Sequence, residues 1–174
     1  MRKPLIVMTP KSLLRKKEAA TPLSELATGS TFQVIIPEAE KIAPKKVKRV
    51  VFCSGKVYYD VVAERAKRGV DDVAVVRIEQ LYPFPHEEFQ AQVELYPNAK
   101  SIIWCQEEPG NQGAWHRIQH YLQRHMRPDQ ELCYAGRKSS ASPAVGYSQL
   151  HNEQQKALVE AALTLDTGTR KQAA

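Results

Sequence analysis

No run in this 174-residue chain approaches the ~20 consecutive apolar residues that a membrane-crossing helix needs. The opening Met1-Arg2-Lys3-Pro4 leads into only Leu5 to Met8 before Thr9-Pro10, too short an apolar stretch for a secretory signal. These two absences predict no membrane partner and a cytosolic or organelle-matrix address. Cysteine is scarce. Cys53, Cys105 and Cys133 have no CxxC spacing, and each sits in an apolar run, so they read as buried thiols rather than as disulfides or metal ligands. The phosphate-binding patterns GxGxxG and GxxxxGK[ST] are missing, and so is the HExxH of zinc proteases. His116, His120 and His125 share one predicted helix, but no suitably spaced Asp, Glu or Cys completes a metal set, and no metal site is assigned.

What is present is enough for one ordinary core plus extensions, since 43% of residues are hydrophobic and 25% charged. The net charge of +6 would suit nucleic acid if it lay on the folded body. It does not: residues 1–48 hold ten Lys/Arg against four Asp/Glu, while residues 49–174 hold fifteen of each. Lys41, Lys45, Lys46 and Lys48 are separated by Ile42, Ala43, Pro44 and Val47, with no aromatic for base stacking, so a solvated linker is expected and no nucleic-acid partner.

From Arg49 onward the chain repeats one βα unit. Arg49 to Cys53 is a strand, Ser54-Gly55-Lys56 a turn, and Val57, Tyr58, Val61, Val62 and Arg65 follow at helical spacing up to a glycine cap at Gly69. Val73 to Ile78 is a second strand, followed by a helix from His86 that carries Phe89, Val93 and Tyr96 until Pro97 stops it. Lys100 to Cys105 and Leu132 to Ala135 are further strands. Helices are expected from Gly113 to about Met126 and from Gln149 to Leu165, the last carrying Leu150, Ala157, Leu158, Ala161, Ala162 and Leu165. The pattern predicts an α/β fold: a mostly parallel sheet with helices on both faces. Residues 1–17, with an apolar strand at Leu5 to Met8, read as the tail of a preceding domain. Residues 18–48 read as a linker with one apolar patch at Phe32 to Ile36, residues 49–165 as the α/β domain, and 166–174 as a flexible tail.

Parallel sheets place ligands beyond the carboxyl ends of their strands. Two groups of residues fall there. Ser54, Gly55 and Lys56 open a helix, Arg77 ends a strand, and Arg137, Lys138, Ser139, Ser140 and Ser142 share one loop; together they predict an anion site formed by Ser54, Gly55, Lys56, Arg77, Arg137, Ser140 and Ser142. The competing reading is a polar loop whose serines cap the turn before the last helix. The second group is Gln106, Glu107, Glu108, Asn111 and Gln112, an interface or the entrance to a site. The pair Glu107-Glu108 invites a general acid/base role, but no nucleophile or other partner completes a mechanism, and no catalytic residue is assigned.

Five segments carry a family resemblance: PKSLLR (Pro10 to Arg15), CSGKVYYD (Cys53 to Asp60), VRIEQLYPFP (Val76 to Pro85), WCQEEPGNQGAW (Trp104 to Trp115) and YAGRKSSASPAVGY (Tyr134 to Tyr147). In this order they resemble the carboxyl-terminal region of the thiamine-diphosphate-dependent component of 2-oxoglutarate dehydrogenase, over about Arg2 to Leu163. The resemblance implies a transketolase C-terminal-like domain. It implies that the chain is a fragment of an enzyme that decarboxylates 2-oxoglutarate on thiamine diphosphate and magnesium and succinylates a lipoyl group. Its partners would then be the remainder of its polypeptide, a second copy in a homodimer, the lipoyl-bearing succinyltransferase component, and an acyl-CoA or nucleotide effector. The family's Gly-Asp-Gly cofactor pattern is nowhere in the chain, nor are its substrate-binding histidines matched, so no cofactor is expected in this fragment. Lys138 stands where the family more often has proline. A stand-alone anion- or nucleotide-binding α/β domain of flavodoxin-like appearance is the alternative.

Overall fold

A computed structural model of the chain describes residues 2–7 and 9–164. It divides into two units, residues up to 32 and residues from 33 onward. The first holds three short 3-10 turns, Lys11–Arg15, Lys17–Ala19 and Leu23–Leu26, and none of these buries a residue. Leu5, Ile6 and Val7 are exposed and form no strand, contrary to the sequence expectation. A strand's N–H and C=O groups need a neighbouring strand, and among the described residues none pairs with this segment. Met8 and the expected tail 166–174 lie outside the described residues.

The second unit is a five-stranded sheet in the order β1-β3-β2-β4-β5, where β1 is Ile35–Ile36, β2 Arg49–Cys53, β3 Val73–Ile78, β4 Ser101–Pro109 and β5 Glu131–Arg137. Four strands are parallel, and β1 runs antiparallel to β3. The helices are α1 (Val57–Arg68), α2 (His86–Leu95), α3 (Trp115–Arg124) and α4 (Ser148–Leu163). The expected α/β class holds. Helix α1 stops where Gly69 takes φ +63°, its N–H bonded to Ala66 O, and α2 ends two residues before Pro97.

Alternation along the strands makes two cores. Val50, Phe52, Val76, Ile102 and Trp104 face Phe89 and Val93 of α2 and Ile118 and Leu122 of α3. Val51, Cys53, Val75, Ile103 and Cys105 face Val57 and Val61 of α1 and Leu158 and Ala162 of α4. In α4 only the second half is buried. Leu150 and Ala157, both expected in its apolar face, are exposed, and Leu165 lies outside the described residues.

The segment expected to be a linker contributes to the domain. Beyond β1, Glu38 is buried: its carboxylate accepts from both terminal nitrogens of Arg65 on α1 and from the Val75 N–H (2.6 Å), while Arg65 also donates to Val73 O (3.0 Å). The Glu38 and Arg65 side chains are 5% and 4% exposed. Burial alone would lower the Arg65 pKa, but the Glu38 partner outweighs it and raises it. A second buried cation, Arg49, donates to the Ala161 (2.9 Å) and Ala162 (3.2 Å) carbonyls at the end of α4. Its pKa is lowered, chiefly by burial.

Candidate functional site

The chain goes from β2 to β3 on one side and then crosses back to β4 on the other, so the crevice between the carboxyl ends of β2 and β4 is the topological switch point of the sheet. Side chains from five elements meet over it. Lys56, in the turn after β2, contacts the carboxylates of Asp60 on α1 (3.0 Å) and Glu107 on β4 (2.8 Å). Asp60 accepts from Gln155 Nε2 on α4 (2.9 Å), and Gln155 Oε1 accepts from Arg137 at the end of β5 (2.8 Å). Arg137 closes the ring by donating to the main-chain carbonyl of Glu107. Burial disfavours the Lys56 ammonium, but Glu107 and Asp60 together outweigh it and raise the pKa.

The charges in this ring are unevenly answered. Lys56 has two carboxylates, whereas the partners of Arg137 are a carbonyl, an amide oxygen and His151 Nδ1 (3.4 Å), and its Nε is buried without a partner among the described residues. Of the two cations in this ring, Arg137 is therefore the one without a carboxylate. Gly55 takes φ +75°, which lets the chain turn from β2 into α1 and places Lys56 over the crevice. Ser54 is half-buried in the same turn. Arg77 is set apart from the ring: its guanidinium lies over the Tyr58 ring (4.5 Å) and near Tyr59 (5.9 Å), with Glu79 at 3.7 Å.

The serine loop is tethered to the turn after β4. Asn111 donates to Ser140 O (2.9 Å) and accepts from Ser140 N–H (2.9 Å), and Gln112 reaches the Ser140 and Ser142 carbonyls (3.2 and 3.5 Å). Ser142 also closes a local turn on Ala144 O (2.7 Å), so part of the polar-loop reading is present as well.

Gln106 is buried and shapes this turn from inside. Its Oε1 accepts from Trp104 Nε1 (2.8 Å) and Trp115 N–H (3.0 Å), and its amide donates to Gln112 O (2.8 Å) and to the Glu108 and Pro109 carbonyls (both 3.2 Å). Gly113, at φ +65°, passes so close that a Cβ there would lie 3.0 Å from the Gln106 amide. Strand β4 runs on to Pro109 rather than stopping at Cys105, so Glu107 and Glu108 point to opposite faces. Glu107 pairs with Lys56 and Glu108 is exposed, which separates the two carboxylates that the sequence places side by side.

Asp60, Gln155 and His151 were not anticipated. Asp60 has a local signal, four residues after Lys56 on one helix face; Gln155 has none, being 95 residues from the aspartate it binds. His116 of α3 contacts Gln119, and His125, just past the end of α3, shares a 2.8 Å hydrogen bond with His86, so the histidines that the sequence places on one helix face different partners. Burial pushes the Cys105 thiol up to about 12 and Cys53 well above its ordinary value, which makes poor nucleophiles of both.

A profile of the 2-oxoglutarate dehydrogenase C-terminal family matches residues 20–163. The chain belongs to that family. Among relatives of this 2-oxoglutarate dehydrogenase C-terminal chain, the 2-oxoglutarate dehydrogenase E1 component of Cupriavidus necator is 60% identical over 161 residues, covering 92% of the chain and 17% of the relative. The E1 components of Coxiella burnetii and Azotobacter vinelandii are 54% and 51% identical, over 94% and 95% of the chain and 18% of each relative. The chain thus spans less than a fifth of the length of these relatives. Among its described residues no three His, Cys, Asp or Glu side chains cluster as a metal would require. The described residues alone therefore offer no cluster of ligands for the magnesium of a diphosphate cofactor.

Proposed function

We propose that this chain is the carboxyl-terminal, dimer-stabilising and effector-binding part of a 2-oxoglutarate dehydrogenase E1 component. The whole enzyme decarboxylates 2-oxoglutarate on thiamine diphosphate and magnesium and passes the succinyl group to the lipoyl arm of its succinyltransferase partner, in the cytoplasm of a bacterium or the mitochondrial matrix. In this reading the cofactor and substrate are held by parts of the enzyme outside this chain. The present residues supply an anion site for an acyl-CoA or nucleotide effector, centred on Lys56 and Arg137, with Ser54 and Gly55 in its floor, Ser140 and Ser142 at its rim, and Arg77 at its outer side. Gln106, Glu107, Glu108, Asn111 and Gln112 form the wall between that site and the active-site entrance.

The observation that carries this reading is the ring at the β2/β4 crevice, in which Arg137 meets only neutral acceptors while Lys56 is held by two carboxylates. A phosphate would answer Arg137 directly and compete with Glu107 for Lys56. A charge-assisted contact contributes ~1.5–3 kcal/mol, which suits a reversible effector rather than a permanently bound group. Calorimetric titration of the chain with a coenzyme A thioester and with an adenine nucleotide tests this. Arg137→Ala is expected to weaken binding by about ten- to a hundredfold, from the same contact strength. Glu107→Gln, by releasing Lys56, is expected to tighten it. Binding unchanged by Arg137→Ala, or weakened by Glu107→Gln, would refute the site.

A further inference from the structure

On the face of the sheet covered by α2 and α3, His86, the first residue of α2, and His125, just past the end of α3, bring Nδ1 and Nε2 to 2.8 Å. The ring centroids are 5.0 Å apart, so the two nitrogens point almost straight at each other, the alignment of a shared proton. Aromatic rings enclose the pair. Phe84 and Tyr121 each meet His86 edge to face at 5.1 Å, Phe84 stacks on Tyr121 (5.2 Å), and Phe89 lies 6.1 Å from His125. Together these contacts tie the far end of the β3–α2 loop, residues 79–85, to α3. The near end is held by the Glu79 and Gln80 N–H groups on Val34 O (2.9 and 3.1 Å), and the tip is exposed at Tyr82 and Pro83. This loop leaves the carboxyl end of β3, on the edge of the sheet where ligands bind.

The charges around the pair are one-sided. On α3, Arg124 precedes His125, and the His120 ring lies against Tyr121 (3.9 Å). On α2, Glu87 and Glu88 are exposed. In the turn after α3, Arg127 donates to the Val93, Pro97 and Ala99 carbonyls, and Asp129 is paired with Lys100. Burial, His86 and Arg124 all lower the His125 pKa.

We propose that His86 and His125 form a pH-operated latch on the β3–α2 loop, closed while one of the two facing nitrogens lacks a proton and open when both carry one. Two neutral rings share one N–H···N bond, and one added proton keeps that bond and strengthens it by charge. A second makes donors of both nitrogens, which abolishes the bond and sets two cations together among aromatic rings. His86 then turns to water and the loop loses an anchor, leaving Phe84 alone to hold its end. An unfolded imidazole ionises near 6.5 and the folded His125 lower, so the latch is fully stabilising above about pH 6.5 and is lost as pH falls below it.

NMR and native-state hydrogen exchange on the full chain, from about pH 7.5 to 4.5, test the proposal. The imidazole nitrogens of His86 and His125 should titrate as a coupled pair, in two steps. The amides of His86 and Phe89, bonded to Phe84 O and Pro85 O (both 3.0 Å), report opening once the intrinsic pH dependence of exchange is removed. Opening takes up one proton more than the closed pair holds, so their protection should fall about tenfold per pH unit in the acid range while α1 stays protected. His125→Gln, which keeps a donor and an acceptor without a titrating charge, should flatten this dependence; His120→Gln, exposed on α3, should leave it intact. Two rings that titrate independently overturn the proposal. So does protection at His86 and Phe89 that holds after both rings are protonated, or an unchanged acid slope in His125→Gln.

Discussion

Replacing Glu38 with glutamine keeps the shape of the side chain and removes its charge, which makes it a sensitive probe of how residues 33–48 are joined to the domain. In the native chain this carboxylate answers three donors, two from Arg65 and one from the Val75 backbone, with both side chains of the ion pair almost fully buried. A glutamine at this position would retain one acceptor oxygen and point an amide N–H₂ at a guanidinium, leaving Arg65 as an uncompensated buried cation. Breaking a buried pair in this way costs about 3–5 kcal/mol, a large part of the roughly 5–15 kcal/mol total stability of a typical domain. The exposed pair Lys46–Asp71, with side chains 54% and 66% accessible, is the internal control; Lys46→Ala should cost ~0–1 kcal/mol. Urea denaturation followed by circular dichroism measures both. The midpoint should fall strongly for Glu38→Gln at unchanged m and barely for Lys46→Ala. Arg65→Met in the Glu38→Gln background should recover part of the loss, since the stranded charge is gone. A Glu38→Gln loss below about 1 kcal/mol, equal to the control, would refute the claim that this segment is locked into the fold.

Two further outcomes are expected. Gln106→Leu deprives Trp104 Nε1–H and Trp115 N–H of their shared acceptor and should cost about 2–5 kcal/mol; thermal unfolding with tryptophan fluorescence measures it, and a loss under ~1 kcal/mol would show that another acceptor takes over. The Cys105 thiol, pushed up to about 12 mainly by burial with Glu107 and Asp60 adding, stays neutral in the fold while an unfolded thiol ionises near 9.0. Its folded pKa is the higher, so its contribution is complete below pH 9 and is lost as pH rises toward 12. Stability should therefore decline with a steeper alkaline slope in the native chain than in Cys105→Ala, and parallel slopes would sink this assignment.

The elements that the sequence displays are those whose signals are local. Near-continuous Val and Ile runs announce β2 and β3, Gly69 and Pro97 end their helices, and Phe89 and Val93 mark the buried side of α2. β1 escapes because two isoleucines in a polar connection carry no period, and Glu38 looks like any solvated acid until α1 brings Arg65 to it. β4 and β5 extend past their apolar stretches because backbone pairing continues through Gln106 to Pro109 and through Gly136 and Arg137, where side-chain hydrophobicity has already ended. The cations of the candidate site were legible as residue types at strand ends. Their ownership was not: Asp60 and Glu107 claim Lys56, Gln155 claims Arg137, and aromatic rings cover Arg77, through contacts that only the folded sheet creates.

Arg49 ties the beginning of the central strand to carbonyls 112 and 113 residues later, near the end of α4. On a ribosome adding roughly 5–20 residues per second, that guanidinium would wait about 6–20 s for its acceptors to be made. Until then, burying β2 would carry an unanswered charge into the interior, so the sheet has a reason to stay open while α4 is still missing. Completion of the domain is thereby timed to the arrival of its last helix, and an agent that delays translation late in this segment should lengthen the life of the incomplete form more than one acting early.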